Sequence, residues 1–410
     1  MTTPLEVRHT ALHSRHQEAG ALLTDFGGWE MPLWYPWGAV KEHLAVITAA
    51  GLFDTSHMDF LFISGKGAHR LLNQAFTRDL SHLRPGRALY GAFLEADGTT
   101  LDDAVLYPLD EDRFGVVVNA GMAPRVKDHL VSLPEASGVS VAEPEERLLK
   151  IDLQGPRSPA LIRSILAQPD LLQVFPYFSF QGDFNFKKSR VKTRDGVPIL
   201  LSRSGYTGEV GFEVFAPLAA AETLWDQILT LGGKDVLPCG LAARDSLRAG
   251  ALLPLSHQDI GHWLFLNHPW EFALPLLPEG GFSKSFVGMA GLDRSKAKYT
   301  VPFIGFDPRR VDRETGVALK EGREIGSVLT IVTDVAVGRL DGRVVSLAGP
   351  DHPADWKPRG LALGFLHLTE RPEPGERLTL RDQRRQIEVE VAKDLRPQRT
   401  ARKNLSVFLA

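Results

Sequence analysis

Short runs of β-type hydrophobic pattern, separated by turn residues, recur along the last quarter of the chain. They occupy residues 301–306, 316–332, 359–367, 376–380 and 386–392. Strands this short and this regularly interrupted are typical of an all-β barrel or sandwich. Before them, residues 283–298 become polar and then basic, so we predict a domain boundary near residue 295.

The first 295 residues mix helical and β patterns, which predicts an α+β class. Helical spacing of apolar residues covers 40–50, ending at Gly51, and recurs at 68–76, 124–133, 158–166 and 218–231. A β-meander is predicted at 88–95, 100–107 and 114–120, with Asp97-Gly98 as the first hairpin turn.

The stretch 202–215 (SRSGYTGEVGFEVF) contains Gly205, Gly208 and Gly211 between two apolar runs. Glycine permits positive φ angles and close backbone approach, so the simplest structure is two strands joined by a tight connection. Glu213 begins the returning strand on the same face as Phe215.

A carboxylate beside apolar surface is costly unless a partner binds it. A pterin ring would suit Glu213, because its ring N–H and amino group present two parallel donors to two carboxylate oxygens. The alternative is an ordinary hairpin in which the glycines serve only the turn and Glu213 is solvated.

Asp102 and Asp103 are adjacent in a predicted strand and therefore point to opposite faces. Asp103 is in line with Leu101, Val105 and Tyr107, the bulkier face, which we expect to be the interior. We therefore predict that Asp103 is the half-buried functional carboxylate and that Asp102 is solvated or bonded in a turn.

Composition excludes several classes of function. A net charge of -3 offers no electrostatic basis for binding nucleic acid or a membrane surface. Cys239 is the only cysteine, which excludes an intrachain disulfide and any cysteine-built zinc or iron–sulfur site. The start of the sequence lacks the apolar core of a secretory signal, and no apolar run reaches about 18 residues. We expect a cytoplasmic protein.

Common catalytic motifs are also missing. The glycines of 205–211 precede a strand and are not followed by a Lys-Ser/Thr pair, so they do not form a phosphate-binding loop. The sequence also has no G-x-S-x-G motif, which an acyl-transfer nucleophile elbow requires. His13 and His16, like His257 and His262, lack the further ligands of a metal site, so we predict none. His57 is interpreted as a structural hydrogen-bonding group.

The chain resembles the T-protein family, the tetrahydrofolate-dependent aminomethyltransferases of the glycine cleavage system. The similar segments keep the family's order and span about residues 10–290. They are DFGGWEMPLWY, LFDTSHM, DGTTLDDAVLY, VVVNAG, SRSGYTGEVGFE and GLAARDSLR. The resemblance implies a three-domain cloverleaf around a central folate channel, with two interleaved α+β domains in 1–295 and a β-barrel in 296–410.

The resemblance also implies roles for individual residues. Asp103 stands at the position of the catalytic aspartate, where it would stabilise positive charge and orient the nucleophile. The implied folate-binding residues are Tyr206, Glu213 and Arg244, with Met58, Asn119 and Arg402 as lesser contacts. The implied acceptor is tetrahydrofolate, the implied donor is an aminomethyl group on the lipoyl arm of the H-protein, and the products are methylene-tetrahydrofolate and ammonia.

The chain departs from the family near the donor entrance. Gly250 and Ser256-His257 replace a usual Glu and Tyr-Gly, and the Ser-Gly…Ser-Pro turn of the barrel is not recognisable in 326–334. A folate-dependent demethylase of a small methylated compound is therefore the alternative function. A non-catalytic folate-binding protein linked to iron–sulfur maturation is a third hypothesis, disfavoured by Asp103 and by the absence of that group's Lys-Gly-Cys-Tyr motif.

Overall fold

The computed structural model describes residues 7–409 of the 410-residue chain. The α-helices of this part are α1 His13–Glu18, α2 Ala39–Thr48, α3 Ala68–Ala75, α4 Ala123–Val131, α5 Ser158–Ile165, α6 Ala221–Gly232, α7 Leu241–Gly250 and α8 Ser406–Leu409. None of these helices has the length and apolarity that crossing a membrane requires.

Most of the secondary structure is β-strand. The strands of the described residues are β1 Leu22–Phe26, β2 Trp29–Trp34, β3 Ala50–Asp54, β4 Asp59–Ser64, β5 Leu89–Leu94, β6 Thr100–Pro108, β7 Arg113–Val118, β8 Ser140–Ala142, β9 Leu148–Gln154, β10 Phe180–Gln181, β11 Leu200–Ser202, β12 Gly211–Pro217, β13 Val236–Pro238, β14 Tyr299–Gly305, β15 Val317–Lys320, β16 Arg323–Asp334, β17 Val337–Leu340, β18 Arg343–Ser346, β19 Leu361–Leu368, β20 Arg377–Arg381 and β21 Gln386–Val391.

A six-stranded sheet in the order β10-β11-β12-β9-β3-β13 contains the glycine-rich hairpin. β11 and β12 pair antiparallel, with Ser202 opposite Glu213, as the hairpin pattern predicts. Gly205 and Gly211 each allow close contact with Gln154, because a Cβ at either position would lie 2.4 Å or less from that side chain. Gly208 has φ +78, the left-handed region that favours glycine.

A five-stranded sheet in the order β5-β6-β7-β4-β8 is inserted between β3 and β9 of the first sheet. Its strands β5, β6 and β7 are the predicted β-meander, each within two residues of the predicted bounds at both ends. Helix α2 ends at Thr48, earlier than predicted, and Gly51 is a buried strand residue instead of a helix cap. A Cβ at Gly51 would lie 2.5 Å from Val46, so close packing explains this glycine.

The last large element is a closed barrel in the order β14-β19-β16-β15-β20-β21. The mixed helix-and-sheet class and the C-terminal barrel are therefore confirmed. The domain division at residue 295 stays a prediction. After the barrel the chain returns to the first sheet, where Leu405 is buried in the core formed by β9, β12 and α6.

Buried Arg396 joins the barrel to the glycine-rich hairpin. Its Nη1 lies 2.9 Å from Asp334 Oδ2 at the end of β16, and its Nε lies 3.5 Å from Glu209 Oε1 in the hairpin connection. Its Nη2 also donates to the Thr207 carbonyl. All three charged side chains are fully buried, so the charges depend on one another for solvation.

We expect Arg396→Met to lower the free energy of unfolding by about 3–5 kcal/mol, because Glu209 is left buried without a cation and Asp334 keeps only the His43 imidazole at 2.9 Å. Denaturant titration measures this loss. Arg399→Met is the matched control, since Arg399 and its partner Asp394 are partly exposed, and its cost should stay below about 1 kcal/mol. Equal losses in the two variants would contradict a structural role for the buried junction.

Candidate functional site

Asp103 lies at one end of the candidate site, half-buried on strand β6. Tyr90 on the neighbouring β5 donates its hydroxyl to Asp103 Oδ2 at 2.8 Å. Asn119, the residue after β7, donates Nδ2 to Asp103 Oδ1 at 2.8 Å. These two donors hold the carboxylate in place while leaving part of it accessible, which agrees with the predicted half-buried position of Asp103.

Asp102 contradicts its prediction, since it is fully buried and not solvated. It accepts hydrogen bonds from the Asn119 backbone N–H at 3.0 Å, from Asn119 Nδ2 at 2.7 Å and from Ser256 Oγ at 3.2 Å. Burial, assisted by the Asp103 charge, raises the pKa of Asp102 to about 8. Both faces of β6 are covered by other elements. Comparing the size of the side chains on the two faces therefore gave a wrong prediction for the burial of Asp102.

Strand β6 carries both Asp103 and a second residue, Tyr107, that contacts Glu213. Tyr107 is four residues after Asp103 on the same face, about 13 Å along the strand. Its hydroxyl donates to Glu213 Oε2 at 3.3 Å. Glu213 on β12 also accepts a hydrogen bond from Ser204 Oγ. Asp103 and Glu213 are therefore connected through Tyr107, and we refer to these residues as the lining.

Glu213 is paired within the protein, a contact that the sequence interpretation missed. Lys150 Nζ lies 2.5 Å from Glu213 Oε1 and 2.7 Å from Asp152 Oδ1, with the Lys150 side chain 3% exposed. The other Asp152 oxygen lies 2.9 Å from Arg244 Nη1. Lys150 and Arg244 lower the pKa of Asp152 although burial opposes them. An alternating chain of charges thus runs from Glu213 to Arg244.

Tyr206 lies in the connection between β11 and β12. Its hydroxyl donates to the Pro254 carbonyl, and the Arg244 guanidinium lies 4.8 Å from its ring centroid. Burial raises the pKa of Tyr206, and the charges of Arg248, Asp259, Asp103 and Arg244 act on the same hydroxyl. The hairpin and helix α7 therefore bring Tyr206 and Arg244 together, as the resemblance implied.

Met58 and His57 approach the site from the turn between β3 and β4. Met58 is half-buried and packs against the aromatic cluster of Tyr107 and Phe215. Burial, with a contribution from Arg244, lowers the pKa of buried His57 to about 3. Its Nδ1 has no hydrogen-bond partner among residues 7–409, which does not fit the interpretation of His57 as a structural hydrogen-bonding group.

Arg402 is exposed, and its guanidinium lies 5.5 Å from the Tyr177 ring centroid. Burial raises the pKa of Tyr177, and the charges of Arg402 and Glu213 both act on its hydroxyl. Arg402 therefore approaches the lining through Tyr177, on the side of Glu213.

One group of possible metal ligands occurs among the described residues, away from this lining. His9, His13 and Glu30 each offer an atom within 4.8 Å of the others. Both imidazoles approach Glu30 Oε2, at 3.5 Å and 2.6 Å. The two rings are stacked with centroids 3.8 Å apart and planes 15° apart. Their in-plane lone pairs therefore run side by side, and this arrangement is a hydrogen-bonded stack instead of a coordination geometry.

Three comparisons with known proteins show which family this chain is similar to. Residues 12–269 match a family model described as "GCVT N-terminal domain". An aminomethyltransferase of Streptomyces avermitilis is 36% identical over 341 residues, covering 81% of this chain and 87% of the relative. An aminomethyltransferase of Geobacillus kaustophilus is 36% identical over 329 residues, covering 79% and 86%.

A solved structure is similar along almost the whole chain. The glycine cleavage system aminomethyltransferase T from Bartonella henselae superposes with a TM-score of 0.77 and 26% sequence identity, covering 96% of this chain and 99% of that one. The family match and the relatives cover the residues that form the lining from Asp103 to Glu213. The chain belongs to the family of the GCVT N-terminal domain, the family of these aminomethyltransferases.

Proposed function

We propose that this chain is an aminomethyltransferase of the glycine cleavage type, with tetrahydrofolate as the acceptor of the one-carbon unit. The observation that carries the proposal is the single lining on which Asp103 and Glu213 lie, joined through Tyr107 and flanked by Tyr206 and Arg244. A flat acceptor could bind along it, with one acid at its recognition edge and the other at its reacting nitrogens.

With its present partners, Glu213 can accept only one of the two hydrogen bonds that a pterin edge donates. An ionised carboxylate offers about four acceptor positions, and Lys150, Ser204 and Tyr107 use three of them. One ring N–H therefore fits on Oε1 without any change. A second donor fits once Tyr107 is displaced, and its bond of 3.3 Å is long enough to be exchanged at low cost.

Asp103 would supply negative charge at the reacting nitrogens. Tyr90 and Asn119 fix its carboxylate before any ligand binds, so no reorganisation is needed when positive charge develops nearby. Burial and the Asp103 charge raise the pKa of Asp102 to about 8, which favours a protonated Asp102 beside Asp103. The contribution of Asp103 is electrostatic and orienting.

The identity of the one-carbon donor is the more specific part of the proposal. We assign the aminomethyl group on the lipoyl arm of an H-protein as the donor, in keeping with the family, and a cytoplasmic location for the reaction. We assign the donor entrance to 250–262, where Ser256 and His257 contact Asp102. Demethylation of a small methylated compound uses the same folate lining, so the choice of donor requires an assay.

A turnover assay tests the proposal. Tetrahydrofolate is supplied with aminomethylated H-protein in one arm and with a panel of methylated small molecules in the other. We expect equal amounts of ammonia and methylene-tetrahydrofolate in the first arm alone. Methyl transfer from a small molecule would instead identify a demethylase, and saturable folate binding without turnover in either arm would identify a binding protein.

A further inference from the structure

A cluster of titratable groups lies directly behind Asp103. Asp102 is fully buried, and His257 Nε2 lies 3.5 Å from its Oδ1 with the His257 side chain 39% exposed. The exposed His262 ring follows, with its centroid 5.1 Å from that of His257. Asn119 Nδ2 lies within hydrogen-bond distance of both Asp102 Oδ1 and Asp103 Oδ1. A line of close polar contacts thus leads from the exposed His257 through Asp102 and Asn119 to Asp103.

The turn that carries His257 is fixed by residues that face the other way. Asp259 is buried against Arg248 and accepts the Thr330 hydroxyl from barrel strand β16 at 2.6 Å. Gln258 donates Nε2 to the same hydroxyl at 2.6 Å. The barrel and helix α7 therefore hold this turn, Ser256–Ile260, so that Ser256 and His257 face Asp102.

We propose that Asp102 and His257 form a proton reservoir for the Asp103 site, with His257 as the positioning residue that exchanges the Asp102 proton with solvent. This inference rests on the proposed aminomethyl transfer. Ser256 and Asn119 hold the Asp102 carboxyl, and His257 is an exposed titratable side chain that lies next to it.

The proposed reaction needs such a reservoir. Moving a one-carbon unit from X–CH2–NH2 to tetrahydrofolate breaks the C–X and C–N bonds and forms two C–N bonds on the acceptor. Two hydrogens leave the acceptor nitrogens, one of which ends on ammonia and the other on X. No net proton is consumed, so the protein group involved must both take up and release a proton in each turnover.

The protonation states of the cluster support this role. The pKa of Asp102, raised to about 8 by burial and then by the Asp103 charge, lets this group give and take a proton near neutrality. Burial, His262 and Arg125 lower the pKa of His257, while Asp103 raises it. Arg125 is itself paired with Glu95 at 3.2 Å. The raised pKa of Asp102 and the lowered pKa of His257 both favour the proton on Asp102 and a neutral imidazole.

The test uses His257→Ala in the full chain, assayed with tetrahydrofolate and the aminomethyl donor. We expect kcat to fall about tenfold to 100-fold, with the folate KM changed less than about twofold. Added imidazole should restore much of the rate, because the half-exposed position admits it. The decline of kcat near pH 8 in the wild type should be absent from Asp102→Asn. His82→Ala, at an exposed histidine outside this cluster, should stay within about twofold of the wild type.

Two results would overturn the inference. One is a kcat for His257→Ala within about twofold of the wild type from about pH 6 to about pH 9. The other is a loss of kcat that imidazole does not restore, together with a fall in thermal stability. These two changes would indicate that His257 is a structural residue. If the wild-type enzyme turns over, either result leaves the proposed function intact. If the wild type fails to turn over, the proposed function itself is rejected.

Discussion

Asp103→Asn should lower kcat for aminomethyl transfer by about 10²–10³-fold, the usual cost of removing one fixed charge from a reacting centre. The folate KM should change less than about threefold, because the side chain keeps its shape and Tyr90 can still donate to it. Steady-state measurement of ammonia release over a range of tetrahydrofolate concentrations separates the two parameters.

Asp112→Asn is the matched control for this experiment. Asp112 is an exposed aspartate in the connection between β6 and β7, remote from the lining. Its replacement should leave both parameters unchanged. A kcat for Asp103→Asn within about threefold of the wild type would show that the half-buried acid has no part in the chemistry.

Glu213→Gln should weaken tetrahydrofolate binding by about 100-fold. Charge-assisted hydrogen bonds contribute about 1.5–3 kcal/mol each, and an amide offers one oxygen and a donor where the carboxylate offers two acceptors. The change also removes a charge partner of buried Lys150, so the variant should unfold at a lower temperature. Calorimetric titration at a temperature where the variant is folded measures the affinity.

Lys150→Met separates the two roles of Glu213. This variant also breaks the Lys150–Glu213 pair but keeps the carboxylate, which Ser204 and Tyr107 still contact. We expect it to lose stability while retaining folate affinity within about fivefold. The exposed Glu145→Gln serves as a neutral control. Equal losses of affinity in Lys150→Met and Glu213→Gln would mean that Glu213 serves only as a counter-ion.

The elements that carry the site could be predicted because each has a strong local pattern. Asp97-Gly98 and the alternation in 100–107 define the meander, and three glycines between apolar runs define the hairpin. The strand pattern indicated Asp103 and Glu213 as candidates, and the family resemblance implied their roles. Asp103 and Glu213 were then found on one lining, through Tyr107.

The partners of these acids could not be predicted, because they come from distant parts of the chain. Asp102 is buried by Ser256, which lies 154 residues away along the sequence. Strand periodicity describes one strand and does not show what covers its second face. The placement of His257 likewise depends on the contact of its turn with the barrel strand β16.

The sequence around Lys150 and Asp152 contains a pattern that indicates their charged partners. They are charged residues two apart in an otherwise apolar strand, LLKIDLQ, and so share one face. Burial on both sides makes such a pair costly unless further charges complete it. Glu213 and Arg244 are those charges, and the alternation of signs in β9 could have indicated them.

The central claim is that one lining binds tetrahydrofolate between Asp103 and Glu213, and a crystal structure with a stable folate tests it most directly. Soaking with 5-formyltetrahydrofolate should place the pterin edge within hydrogen-bond distance of Glu213. The N5 side should lie next to Asp103, with Tyr206 alongside. Ordered folate elsewhere on the protein, with neither carboxylate in contact, would contradict the account.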